Sequence, residues 1–315
     1  MVSLIPNILV SSRQPNTDKT YKTYFNKWLK WSDQFNEVCS LPTSDQYISL
    51  FLTSLIQSGN TFSVIHSSYF AIKYYHSLSG YDNIGNSSVC KKIYEAAKRI
   101  CNHVSHKKDP VKTSDLLNIL HLYKKEGFSL MKLRTMSICL LSFAGFLRFS
   151  EVSNLRRSDI IIFTTHAKVF IEKSKTDVYR EGHWMYIARL DSELCPINML
   201  ESYFSEANIL TTCKKFIFRG LQKCKTKYKL READKAISYT TVRENVLEVL
   251  GQIGLNVKNY GLHSLRSGGT TAAANLGVND RLIMKHGRWK SVPVMNGYVH
   301  ENLTELLKVS KNIGL

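Results

Sequence analysis

The sequence predicts a mostly helical chain with a small β-sheet, an α+β fold in two domains. Three observations lead there. Apolar residues recur at helical spacing through most of the chain, two short runs read as a strand pair, and a polar, basic segment separates two groups of helices. The chain has 315 residues, enough for about two domains at roughly 100–200 residues each. Its 43% hydrophobic content supplies their cores.

Residues 1–17 read as irregular. Tyr21, Tyr24, Phe25, Trp28 and Leu29 then fall at i, i+3, i+4, i+7 and i+8, an amphipathic helix with Lys22, Asn26, Lys27 and Lys30 opposite. Its aromatic stripe is read as core. Further helices are expected near 44–58, 62–78 and 88–103, split by Ser-Gly and Gly-Tyr-Asp turns. The stretch from His103 through Pro110 to Ser114 reads as a linker, with the domain boundary near 106–110. Thr113, Ser114 and Asp115 can cap a helix beginning at Leu116. An apolar helix over 131–146 should be buried. The runs 169–173 and 183–188 read as strands, joined by a polar turn from Ser174 to Gly182. Helices resume near 196–207, 239–253, 263–276 and 279–285. Lys214 to Lys235 carries nine Lys/Arg against two acidic residues and reads as a solvated loop available to a polyanion.

Charge narrows the function. With 43 Lys+Arg against 25 Asp+Glu, the formal charge is +18. Residues 1–106 hold ten basic and six acidic residues, and the remainder holds the other +14. Such an excess attracts nucleic acid or an anionic surface. The longest apolar run, Met136 to Leu147, is too short to span a bilayer, which takes about 20 residues. The N-terminus lacks a basic region ahead of a long apolar core and does not read as a signal peptide. Seven scattered cysteines with no CxxC point to free thiols, and no histidine near Cys213 or Cys224 completes a zinc spacing.

Six side chains in the second half of the chain carry chemistry: Arg148 in GFLRFSEV, Lys175 in EKSKTD, His263 and Arg266 in GLHSLRSGG, Trp289 in HGRWKS and Tyr298 in MNGYVH. Together they suit attack on a phosphodiester by a phenol. Two guanidiniums can grip a phosphate bidentately and substitute for metal ions, and the tyrosine can become covalently attached. Taken singly, each is commonplace: an arginine at a helix end is usually a surface charge, and a tyrosine usually packs.

In their order and spacing, these residues resemble the tyrosine recombinases, the family of phage integrases, Cre and the Xer proteins. The family's first arginine motif is matched by Gly145-Phe-Leu-Arg148-Phe-Ser-Glu151, its HxxR by His263-Ser-Leu-Arg266, and its hairpin lysine by Lys175. Lys173, two residues away on the same expected strand face, is the alternative; motif analogy favours Lys175. Trp289 lies nine residues before Tyr298, the family position of a His or Trp, so the chain is similar to the Cre-like variety. His286 and Arg288 are neighbours of that position. Gly287-Arg-Trp-Lys-Ser resembles the recombinases of eukaryotic mobile elements, the DIRS-like retrotransposons and Cryptons.

The resemblance implies a helical, SAM-like core-binding domain over 1–106 and a catalytic domain over 107–315. It implies site-specific cleavage and rejoining of double-stranded DNA through a 3′-phosphotyrosine on Tyr298, with no cofactor and no metal. Arg148 and Arg266 would stabilise the transition state, and Lys175 would protonate the leaving 5′-oxygen. His263 would assist proton transfer, and Trp289 would position the phosphate through its indole N–H. Glu151 would orient Arg148 or His263, or pair on the surface. The family implies a tetrameric synapse, and an apolar helix after Tyr298 would pack on its own core or dock on a neighbour. A mobile-element origin implies the nucleus, and a bacterial one the cytoplasm. The rival readings are a type IB topoisomerase-like enzyme, which acts as a monomer, and a domesticated, non-catalytic DNA-binding protein.

Overall fold

The structure is a computed structural model that describes residues 15–101, 107–174, 177, 181–224, 227–301 and 303–314. The chain divides into two compact units, Met1–His106 and Lys107–Leu315. No helix among the described residues is long and apolar enough to cross a membrane.

The first unit holds four described helices: α1 Pro15–Ser32, α2 Asp45–Gln57, α3 Phe62–Leu78 and α4 Ser88–Ile100. Two start at serine caps, where the Ser44 and Ser87 side chains accept from the backbone N–H groups of Tyr47 and Cys90. The aromatic stripe of α1 does pack inward. Trp28 is fully buried with Ile48, Leu52, Ile65 and Ile72, while Tyr21, Tyr24 and Leu29 lie at the edge of that core. The Asp45 carboxylate ties α2 to the loop before α4, accepting from the Gly85 and Ser87 backbone N–H groups, each at 2.6 Å.

The second unit opens with α5 Thr113–Glu126, α6 Leu130–Ala144 and the short α7 Phe149–Ser153. A three-stranded antiparallel sheet follows, in the order β1 Ile160–Ile162, β2 His166–Ile171, β3 His183–Ala188. Next come α8 Pro196–Glu206, a hairpin of β4 Leu221–Cys224 and β5 Lys227–Leu230, and α9 Tyr239–Gln252. The unit closes with α10 His263–Asn275, α11 Asp280–Gly287, α12 Val292–Asn296 and α13 Leu303–Lys311. The centre is α6, buried along most of its length; its leucines, Met136, Ile138 and Cys139 fill the core, and Arg134, Thr135, Ser137 and Ser142 are buried with them. In β2, alternate residues Ala167, Val169 and Ile171 face the core, and Val169 pairs with Met185 of β3.

Several expectations shift. Helix α5 begins at Thr113, because Asp115 reaches back to accept from the Lys112 N–H at 2.8 Å and so caps a start three residues earlier than Leu116. Strand β2 ends at Ile171, so Lys173 lies beyond it rather than on a strand face. Strand β1 went unread because three isoleucines are too short a run to alternate. The lysine-rich stretch is no plain loop: Leu221 pairs with Leu230, and the buried Leu230 anchors a β-hairpin beneath the lysines.

One contact fixes where the site forms. Helix α10 meets the α6 end and the α5 lead-in at Gly268 and Gly269, where a Cβ would lie 1.9 Å from the Val111 carbonyl oxygen and 2.0 Å from that of Phe143. Both obstacles are backbone, which cannot rotate away. Gly269→Ala should therefore cost about 2 kcal/mol, in the range of overpacked cores. A clear fall in Tm by calorimetry checks this; an unchanged Tm would mean the helices do not approach so closely.

Candidate active site

Helix α6 ends at Gly145, and Phe146 then adopts a positive φ of 47°, rare for a bulky residue. That reversal puts the Phe146 carbonyl where it accepts from Arg266 and, at 3.3 Å, from Arg288. Arg148 follows as the residue capping α7, with Glu151 one turn later. The Glu151 carboxylate is buried and receives the Arg148 backbone N–H at 2.9 Å, Arg148 Nη1 at 2.8 Å and Arg288 Nη2 at 2.9 Å; Arg266 Nη1 stands 3.7 Å away. Burial alone would raise the Glu151 carboxyl, but Arg288, the Arg148 N–H, Arg148 and Arg266 hold it below its ordinary range.

Three guanidiniums around one carboxylate leave an excess of two positive charges. Arg266 is fully buried, donating also to the Gly287 carbonyl at 2.8 Å. Burial and the neighbouring Arg148 push its guanidinium below the ordinary arginine value, with Glu151 opposing. The Arg266 Nε and the Trp289 indole N–H are both buried without a hydrogen-bond partner among the described residues. Buried orphan donors cost about 1–3 kcal/mol each. Here two sit together, since the Arg266 guanidinium lies 4.4 Å from the Trp289 ring centre.

Tyr298 completes the cluster. Its ring centre is 5.2 Å from that of Trp289 and 5.0 Å from the Arg266 guanidinium. Helix α10 holds its backbone: Ser267 and Thr271 hydroxyls donate to the Tyr298 carbonyl at 2.6 and 3.2 Å. Gly287 lets the Trp289 ring fold back on its own helix end, where a Cβ would lie 1.8 Å from the indole.

The structure thus brings Arg148, Arg266, Trp289 and Tyr298 together from four separate stretches. His263 opens α10, exposed and one turn before Arg266. Lys175 lies outside the described residues, and Lys173 pairs with Glu172 at 3.2 Å. Glu151 is no surface pair but the buried centre of the cluster. Arg288 is part of the cluster as well, and His286 donates from a half-buried ring, whose burial favours the neutral form, to the Ala144 carbonyl at 2.8 Å. The sequence reading had set both aside as mere neighbours of Trp289. The Arg-x-x-Glu spacing in 148–151 was a usable signal; nothing comparable marks Arg288.

Residues 109–305 match the model of the phage integrase family. The chain belongs to that family. Its members are tyrosine recombinases, enzymes that break and rejoin DNA. This family member is 24% identical over 290 residues to an integrase/recombinase XerD homologue of Selenomonas ruminantium, covering 90% of this chain and 82% of the relative. Its fold is similar to a XerH site-specific recombinase bound to a palindromic difH substrate, with a TM-score of 0.67, 14% identity, and 94% of this chain and 79% of the other covered. It is also similar to a lambda integrase tetramer bound to a Holliday junction, with a TM-score of 0.58, 13% identity, and 91% and 72% covered.

Removing Glu151 would leave three guanidiniums facing one another in a buried site, so Glu151→Ala should cost about 3–5 kcal/mol at neutral pH. Because the folded carboxyl is depressed, its stabilisation is present above the unfolded-state value and drains as pH falls through the folded one. Urea titrations of wild type and variant should show a gap that narrows in acid. A gap that is small at pH 7, or that widens in acid, would contradict this placement.

Proposed function

We propose that this recombinase cleaves and rejoins double-stranded DNA site-specifically, with Tyr298 as its nucleophile. The observation that carries the reading is the convergence of a phenol, two orphan donors and an uncompensated arginine cluster. Tyr298 attacks the scissile phosphate, forming a 3′-phosphotyrosyl bond as the 5′-oxygen departs. Arg148 and Arg266 carry the charge that develops on the non-bridging oxygens, and the Trp289 indole N–H donates to one of them. Lys175 protonates the leaving oxygen, and His263 assists the proton transfer. The covalent bond conserves the energy of the broken one, so neither ATP nor metal is needed. The basic excess and the lysines of β4–β5 suit a duplex backbone, with residues 1–106 as a second DNA-binding domain.

Tyr298→Phe should abolish covalent capture of a suicide duplex while leaving DNA affinity intact, because the hydroxyl contributes chemistry and not binding. Wild-type capture should persist in excess EDTA. A trapped adduct on another tyrosine, or strict dependence on Mg²⁺, would overturn the assignment.

The assembly we propose is a tetrameric synapse on DNA. Its support is α13, whose Leu303, Leu306 and Val309 are 69, 59 and 73% exposed, an apolar face left open among the described residues. A second copy of the chain is the occupant that fits. Deleting residues 301–315 should spare DNA binding and lose the tetramer in light scattering. An undiminished tetramer would assign the tail to its own subunit.

A further inference from the structure

Arg288 sits where a side chain is costly. It ends α11 in the left-handed conformation, φ 59° and ψ 39°, with its N–H bonded to the Lys285 and Met284 carbonyls. Glycine is the usual occupant of such a helix end. The guanidinium is also buried, its side chain only 6% exposed. A residue that strains the backbone and buries a charge needs a reason beyond closing a helix.

The contacts supply one. Arg288 donates to Glu151 Oε2 at 2.9 Å, to the Phe146 carbonyl at 3.3 Å and to the His286 carbonyl at 3.0 Å. Two of these acceptors, Oε2 and the Phe146 carbonyl, are ones Arg266 also faces. With Oε2 held by Arg288 and by the Arg148 backbone N–H, each at 2.9 Å, Arg266 remains at 3.7 Å, beyond hydrogen-bond reach.

We propose that Arg288 is a positioning residue for strand cleavage: by occupying Glu151 Oε2 it keeps Arg266 from closing onto that carboxylate and leaves Arg266's charge for the DNA phosphate. The inference rests on the recombinase reading and deepens it. Without Arg288, Oε2 keeps only the Arg148 backbone N–H at 2.9 Å, and the Arg266 guanidinium needs only a small shift to pair with it. An arginine so paired is neutralised toward an anion and aimed away from it. Arg288 itself does not touch substrate; it acts through Glu151.

The substitution Arg288→Gly separates this role from a structural one, because glycine relieves the left-handed strain while removing the guanidinium. The expected result is an unchanged or higher Tm, DNA affinity within about twofold of wild type, and a rate of covalent capture at saturating suicide duplex reduced about tenfold or more, as for lost supporting contacts around a reactive group. Arg288→Lys should recover only part of the rate, since one ammonium cannot span both acceptors as a planar fork does. In a Glu151→Gln background, Arg288→Gly should cost little further, the mark of two residues acting as one unit. Wild-type capture by Arg288→Gly, a rate loss matched by lost affinity or lost Tm, or an undiminished effect in the Glu151→Gln background would each overturn the proposal.

A carboxyl titration of Glu151 by NMR reads the same contact without catalysis. The groups facing this carboxylate are Arg148 of α7, Arg266 of α10 and Arg288, with His183 and His286 near Arg288. The Glu151 midpoint should rise in Arg288→Gly, and an unmoved midpoint would remove the proposed contact. Should wild type form no adduct at Tyr298, the recombinase reading would fail on that result alone, while the titration would still decide whether Arg288 holds Glu151.

Discussion

A single buried carboxylate organises the reactive half of this molecule. Arginines repel one another, and burying them without a counter-charge costs several kcal/mol per ion. Glu151 allows Arg148, Arg266 and Arg288 to gather in one place, and it does so incompletely, one negative charge against three positive. Full neutralisation would give a stable structural core with no appetite for phosphate. The surplus leaves two positive charges uncompensated in the cluster, and the close approach of α10 to α6 holds it together. Two non-glycine residues in left-handed conformation, Phe146 and Arg288, bracket the cluster and feed it a carbonyl and a guanidinium.

The rings of Trp289 and Tyr298 cover Arg266, which has no exposure of its own. Arg148, 12% exposed, forms the solvent-facing edge of the cluster. The tyrosine carbonyl is held in place by the Ser267 and Thr271 hydroxyls.

Much of this could be read from the residues themselves. Helix α1 announces itself by its apolar spacing, and the buried α6 by the apolar run from Met136 that only serines interrupt. The arginines, tryptophan and tyrosine stand out because their order and spacing fit one chemistry. What could not be read depends on contacts between distant stretches. Arg288 gives no periodic signal; its value comes from a left-handed backbone that aims it at a carboxylate 137 residues earlier. Glu151 was visible as a neighbour of Arg148, but its burial follows from the packing of α7 and not from its own polarity. The β4–β5 hairpin hid because lysines outnumber the two leucines that pair at its base.

We propose that the scissile phosphate enters the arginine cluster held by Glu151. The most direct test is a crystal structure of the chain trapped covalently on a suicide duplex. The account predicts the phosphate bonded to Tyr298 Oη, its free oxygens within hydrogen-bond distance of Arg148, Arg266 and the Trp289 indole N–H, and Glu151 still bonded to Arg148 and Arg288. A phosphate seated away from Arg266, or a Glu151 that has released its arginines, would contradict it.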